Sequence, residues 1–105
     1  MERPNLSYIH SMSGGDTKFE QQLISIIKIE FEQEKLIYLN NFKAKNYVHM
    51  ADNVHKIKHK IGILGLEKSY QIAVEYENDL RVGTVKLKEK FDSILSVMTD
   101  FINQQ

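Results

Sequence analysis

The sequence predicts an all-α protein, an up-and-down antiparallel four-helix bundle with a short N-terminal lid helix. Apolar residues recur three or four apart over four long stretches, and no stretch alternates apolar and polar residues for long enough to make a strand. Pro4, Gly14-Gly15, the Asn40-Asn41 pair, Gly62, Gly65 and Gly83 punctuate the chain, and between those marks the period is helical.

Pro4-Asn5 opens the lid helix over about Leu6 to Met12, with Asn5 as cap and Leu6, Ile9 and Met12 on one side, and Ser13-Gly14-Gly15 stops it. Asp16 offers a carboxylate to the free N–H groups of a long second helix. Its expected core stripe is Phe19, Leu23, Ile24, Ile26, Ile27, Phe31, Ile37, Tyr38 and Phe42. Ile29 and Leu36, seven apart, project from the opposite side, as ordinary surface or as a contact with a partner. Asn46 caps a third helix running to about Leu64, with Tyr47, Met50, Val54, Ile57, Ile61 and Leu64 inward and Gly65 as its stop. A fourth turns Leu66, Ser69, Tyr70, Ala73, Tyr76 and Leu80 inward. Thr84 is the expected cap of a fifth, whose stripe is Leu87, Phe91, Ile94, Leu95, Met98 and Phe101.

Residues 1–105 make a single domain. At 105 residues and 42% hydrophobic the chain can build one core without staples, and the lack of cysteine removes disulfides, thiolate catalysis and cysteine-based zinc sites together. Fourteen basic against fourteen acidic residues give no bulk attraction to nucleic acid or anionic lipid. No apolar run approaches the ~18 to 20 residues that span a bilayer. The opening MERPNLSYIH lacks the order of a secretory signal, so a cytoplasmic protein is expected.

Chemistry is expected on the third helix. His55 lies about 130° around the wheel from the middle of the apolar stripe, which turns its imidazole to solvent. Val48, Ala51, Asp52, Lys58, His59 and Gly62 share its face by helical spacing. Between Lys43 and Lys60 five lysines stand against one acid, Asp52, a local charge of 5 − 1 = +4 that suits an anionic partner or a phosphoryl group. The same lysines also read as the solvated side of an amphipathic helix. Asp52, His55 and His59, at i, i+3 and i+7, lack a fourth ligand, and no metal site is expected there. His10 and His49 have no constellation around them.

The run His55-Lys56-Ile57-Lys58-His59-Lys60-Ile61-Gly62-Ile63-Leu64-Gly65 resembles the signature of histidine-containing phosphotransfer (HPt) domains of multistep two-component signalling. In that family the histidine is followed by any residue, an aliphatic, a lysine and usually a glycine, with an aliphatic-glycine pair at plus nine and plus ten. Ala73 and Tyr76-Glu77 occupy the places of its downstream small residue and aliphatic-Glu pair, and Ser13-Gly14-Gly15-Asp16 resembles its Gly-Gly-Asp helix start. Two places depart from the pattern: His59 stands where the glycine is usual, and Ser69 where a leucine is usual early in the fourth helix.

The resemblance implies a phosphocarrier, not an enzyme with its own ATP-binding kinase site. Gly14-Gly15 also lacks the Gly-Lys-[Ser/Thr] of a phosphate-binding loop. It further implies that His55 accepts the phosphoryl group from the aspartate of a response-regulator receiver domain and returns it to another, with a hybrid histidine kinase as a further candidate partner. Lys58 would stabilise the phosphoryl oxygens, and Ile9, Met12, Val48, Ala51, His59 and Gly62 would form the docking rim. The chain would carry no cofactor, the divalent metal belonging to the receiver. The competing expectation is an HPt-like adaptor or dimerisation module that binds receivers without transfer.

Overall fold

A computed structural model describes residues 2–105. It holds five helices: α1 (Ser7–Ser13), α2 (Thr17–Lys43), α3 (Tyr47–Ile63), α4 (Glu67–Arg81) and α5 (Lys88–Asn103), with no strand among the described residues. The four long helices pack antiparallel. The predicted bundle is the fold of the protein, 43 Å along its long axis, close to the length of the 27-residue α2.

Helix α3 lies between α2 and α4, α5 closes the bundle against α4 and α2, and α1 folds back on α2. Because α3 has a neighbour on each side, its buried arc is wider than one apolar stripe. Met50, Val54, Ile57 and Ile61 point to the centre as expected, and Ala51 and Asn53 are buried as well. Asn53 is satisfied by the Asn41 amide, 2.7 Å from its side-chain oxygen. At the middle of the core the Tyr38 and Tyr76 hydroxyls meet at 2.8 Å, and Tyr38 also donates to Asp92 Oδ1 at 3.0 Å. Both rings pack edge-on or tilted against Phe91. Burial pushes the ionisation of both phenols up, that of Tyr76 to about 12, so they stay neutral donors in an apolar setting.

The helix ends show which local signals the chain uses. Asp16 Oδ1 accepts from the Phe19 N–H at 3.0 Å, the expected cap of α2. Asn5 serves α1 in part: the helix begins at Ser7, whose N–H donates to Asn5 Oδ1. Asn46 precedes α3 but makes no side-chain cap. The Asn40-Asn41 pair and Gly62 do not interrupt their helices, and α2 runs on to Lys43. α5 starts later than expected. Thr84 accepts only a long 3.4 Å bond from the Lys86 N–H in the connecting turn, and the helix begins at Lys88, after Leu87. Gly65, at φ +77°, ends α3 as predicted. An alanine there would set its Cβ 2.6 Å from Asn5 Nδ2, so the turn also seats the N-terminal segment.

That segment is fastened at two points. The Asn5 N–H donates to Leu64 O at 2.9 Å, and the Glu2 carboxylate accepts from the Lys68 and Ser69 N–H groups at 2.7 and 2.9 Å, capping α4 from outside the helix. The Glu2 carboxyl loses some hydration there, but those amides outweigh the loss and lower its pKa.

Two sets of expectations about burial are corrected. Phe19, Ile26 and Ile37, assigned to the core stripe of α2, are exposed, because α2 is covered on one side only, where Ile27, Phe31 and Tyr38 point inward. Phe101 is only half-buried, and Ile102 takes the core place at the end of α5. No helix is long and apolar enough to cross a membrane among the described residues.

Candidate functional site

His55 sits in the middle of α3, one position beyond the arc that packs on α4, and its side chain is half exposed. Helical spacing puts Ala51 and Gly62 beside it, both small, which lets α4 approach closely: Tyr70 lies across Gly62, 3.4 Å from where a Cβ would be. Two turns further along α4, Glu77 comes up against His55. The His55 Nδ1 lies 3.2 Å from Glu77 Oε1, and Lys58 Nζ donates to the same oxygen at 3.0 Å. Arg81 donates to Glu77 Oε2 at 3.0 Å and reaches Asp52 Oδ1 at 3.4 Å.

Glu77 is buried, and the loss of hydration works against its charge. Hydrogen bonds from Lys58, Arg81 and His55 outweigh that cost and hold its carboxyl below the usual carboxylate range. An ionised carboxylate only accepts, so at this 3.2 Å contact Nδ1 is the donor, and in the neutral tautomer of the ring Nδ1 carries the proton. The lone pair then resides on Nε2, which bonds to no protein group among the described residues. The arrangement is chemically simple: one ring nitrogen without a protein partner, the other held by a carboxylate, and two cations around that carboxylate.

Lys58 is more enclosed than its place on the wheel suggests. Its side chain is largely covered, and its ammonium sits 5.8 Å from the centre of the Tyr70 ring. Lys60 is likewise engaged, bonded to Glu34 and Glu30 at 2.7 and 3.2 Å. The local charge of +4 is therefore partly neutralised by acids from α2 and α4.

His59 is exposed, and its ring stands edge-on to His55, with centroids 5.1 Å apart. A shallow pocket of about 400 Å³ opens beside it, lined by Tyr8, His59, Gly62, Ile63 and Tyr70. Among the predicted rim residues, Met12, Val48, His59 and Gly62 are exposed. Ile9 and Ala51 are corrected: Ile9, 1% exposed, is the anchor of α1 in the core, and Ala51, 0% exposed, is sealed by α4. Neither can touch a partner. Tyr8 and Tyr70, which line this pocket with His59 and Gly62, were not among the expected residues. Tyr8 lies four before Met12, on the same face of α1, a spacing that could have found it.

Asp52 turns to Arg81 while His55 turns to Glu77, so the i, i+3, i+7 trio does not converge on a point. Among the described residues no three His, Asp or Glu side chains are grouped as metal ligands. His10 pairs with Glu20 at the start of α2, and His49 is exposed. No family model, no curated protein and no solved structure matches this chain significantly.

Proposed function

We propose that the protein is a histidine phosphocarrier, exchanging a phosphoryl group between Nε2 of His55 and the aspartate of receiver domains. The observation that carries this reading is the half-exposed His55 ring with Nδ1 on Glu77 and the Lys58 ammonium on the same carboxylate oxygen. The resemblance of the His55–Gly65 run to HPt domains points the same way.

In the step itself the Nε2 lone pair attacks the phosphorus of an aspartyl phosphate. An N–P bond forms, the P–O bond to the aspartate breaks, and the carboxylate leaves with that electron pair. The proton remains on Nδ1, so the ring becomes a cation facing Glu77, which stabilises it as the charge appears. Lys58 is close enough to divide its hydrogen bonds between Glu77 and the incoming phosphoryl oxygens, and such transfer depends on positioning and charge neutralisation above all. His59 stands against the ring, Val48 and Gly62 share its face by helical spacing, and with Tyr8 of the neighbouring pocket and the exposed Met12 they supply the docking surface in this reading. Direction of flow follows the relative phosphorylation of the two receivers, because nothing in the chemistry of the step favours one.

The test is transfer of labelled phosphate from a phosphorylated receiver domain. Wild type takes up acid-labile label, His55→Gln takes up none while keeping its helix content, Lys58→Ala is slower, and His59→Gly equals or exceeds wild type by relieving crowding at the rim. Uptake by His55→Gln, or none by wild type from any of several receivers, overturns the proposal. The second outcome would favour an adaptor that holds receivers without transfer.

A further inference from the structure

The outer side of α2 carries a second apolar face, away from the core. Phe19, Ile26, Ile29, Leu36 and Ile37 are all at least 46% exposed, Ile29 and Leu36 the most, at 60%. Phe19, Gln22, Ile26, Ile29, Gln33, Leu36 and Asn40 follow one another by alternating steps of three and four. That is the spacing of a two-helix seam, with the two positions of each heptad held by apolar or amide side chains and no charge before Lys43. Scattered exposed apolar residues follow no such rule.

We propose that this face is a homodimer interface, α2 of one copy packing parallel along α2 of a second. A second copy fits because in a parallel two-fold pairing every layer meets itself. Ile26, Ile29 and Leu36 then pack on their own counterparts, and the Gln33 and Asn40 amides bond to theirs, so no amide is buried against a hydrocarbon side chain. The antiparallel alternative sets Ile29 against Gln33 and Phe19 against Lys43. It also brings Glu30 and Glu32, which flank the middle of the seam, towards their own copies. In the parallel pairing Glu32 lies beside Ile37 and Glu30 beside Ser25, with no like charges opposed.

Area agrees with this. At the exposures observed, the apolar side chains of the face present roughly 500 Å² per copy. With the intervening amides the pair of faces passes the ~1,000 Å² that a specific interface needs. His55 lies on the side of α3 that packs on α4, so pairing through α2 leaves the phosphocarrier site open, and the inference is independent of that function.

Sedimentation equilibrium tests it. Wild type is expected at twice the 12.3 kDa of one chain, and Ile29→Lys and Leu36→Lys at 12.3 kDa with unchanged helix content. The chain has no cysteine, so Asn40→Cys gives a clean test of orientation. On mild oxidation it cross-links to its own copy in the parallel pairing, whereas antiparallel helices hold the two positions about 27 Å apart. Wild type that stays monomeric up to about 1 mM, or a dimer that survives both lysine variants, overturns the interface. Cross-linking of Gln22→Cys to Asn40→Cys, with none of Asn40→Cys to itself, overturns the parallel pairing.

Discussion

Replacing Glu77 with glutamine keeps the shape of the side chain and removes its charge, and the structure says what that costs. The carboxylate receives three donors, from His55, Lys58 and Arg81. A glutamine can accept on one oxygen only and turns an N–H₂ group towards donors on its other side. Arg81 is open to water, so the loss of its bond to residue 77 costs little. The covered partner is Lys58, and losing the charge-assisted bond between two largely buried groups costs about 2 kcal/mol at neutral pH. For a domain of this size that lowers the melting temperature by roughly 10 °C.

The pH dependence fixes the sign. The folded pKa of Glu77 lies below its unfolded value, so its contribution is present above about pH 4.5 and is lost as pH falls through the folded value. Urea denaturation followed by circular dichroism should therefore show Glu77→Gln less stable than wild type near neutrality, with the gap closing in acid. The same variant should transfer phosphate at least about tenfold more slowly, since the Nδ1 proton is no longer held by a charge. Equal stability of the two proteins near pH 7, or a gap unchanged by acid, would refute the account of Glu77.

Two further outcomes test the fold that carries the site. Tyr38→Phe removes the hydroxyl that joins Tyr76 to Asp92 in the core and should cost about 2 kcal/mol in urea denaturation, with the helix content unchanged. Gly65→Ala should cost more than Gly14→Ala, about 2 to 3 against about 1 kcal/mol. Both glycines have positive φ, but only at Gly65 does the added carbon meet Asn5; equal losses would mean that the N-terminal segment does not rest on that turn.

Periodicity alone found four of the five helices nearly to their ends, because amphipathic stripes survive any packing that has one core. It also found His55, whose place beyond the edge of the α3 stripe is a property of the helix by itself. It failed where burial depends on neighbours. Ala51 looks like surface on the wheel of α3 and is sealed because a second helix lies on that flank. Phe19, Ile26 and Ile37 look like core on a stripe drawn too wide, since α2 has neighbours on one side only. Glu77 was visible as a residue of the HPt-like pattern, but its grip on His55 lies 22 residues away on another helix and leaves no local trace. The late start of α5 has a plainer cause: Thr84 has the chemistry of a cap, yet its hydroxyl serves the turn before the helix.

The fastening of Glu2 to the start of α4 has a consequence for how the domain can be carried by other polypeptide. Gln105 lies beside Leu6 and Glu20, so both chain ends leave the bundle at the α1 end, a short span apart. Anything joined before or after the domain would hang from that end. The α2–α3 and α4–α5 turns at the other end stay clear of any tether, and a domain built this way tolerates insertion between two segments of a host chain as readily as fusion at one terminus.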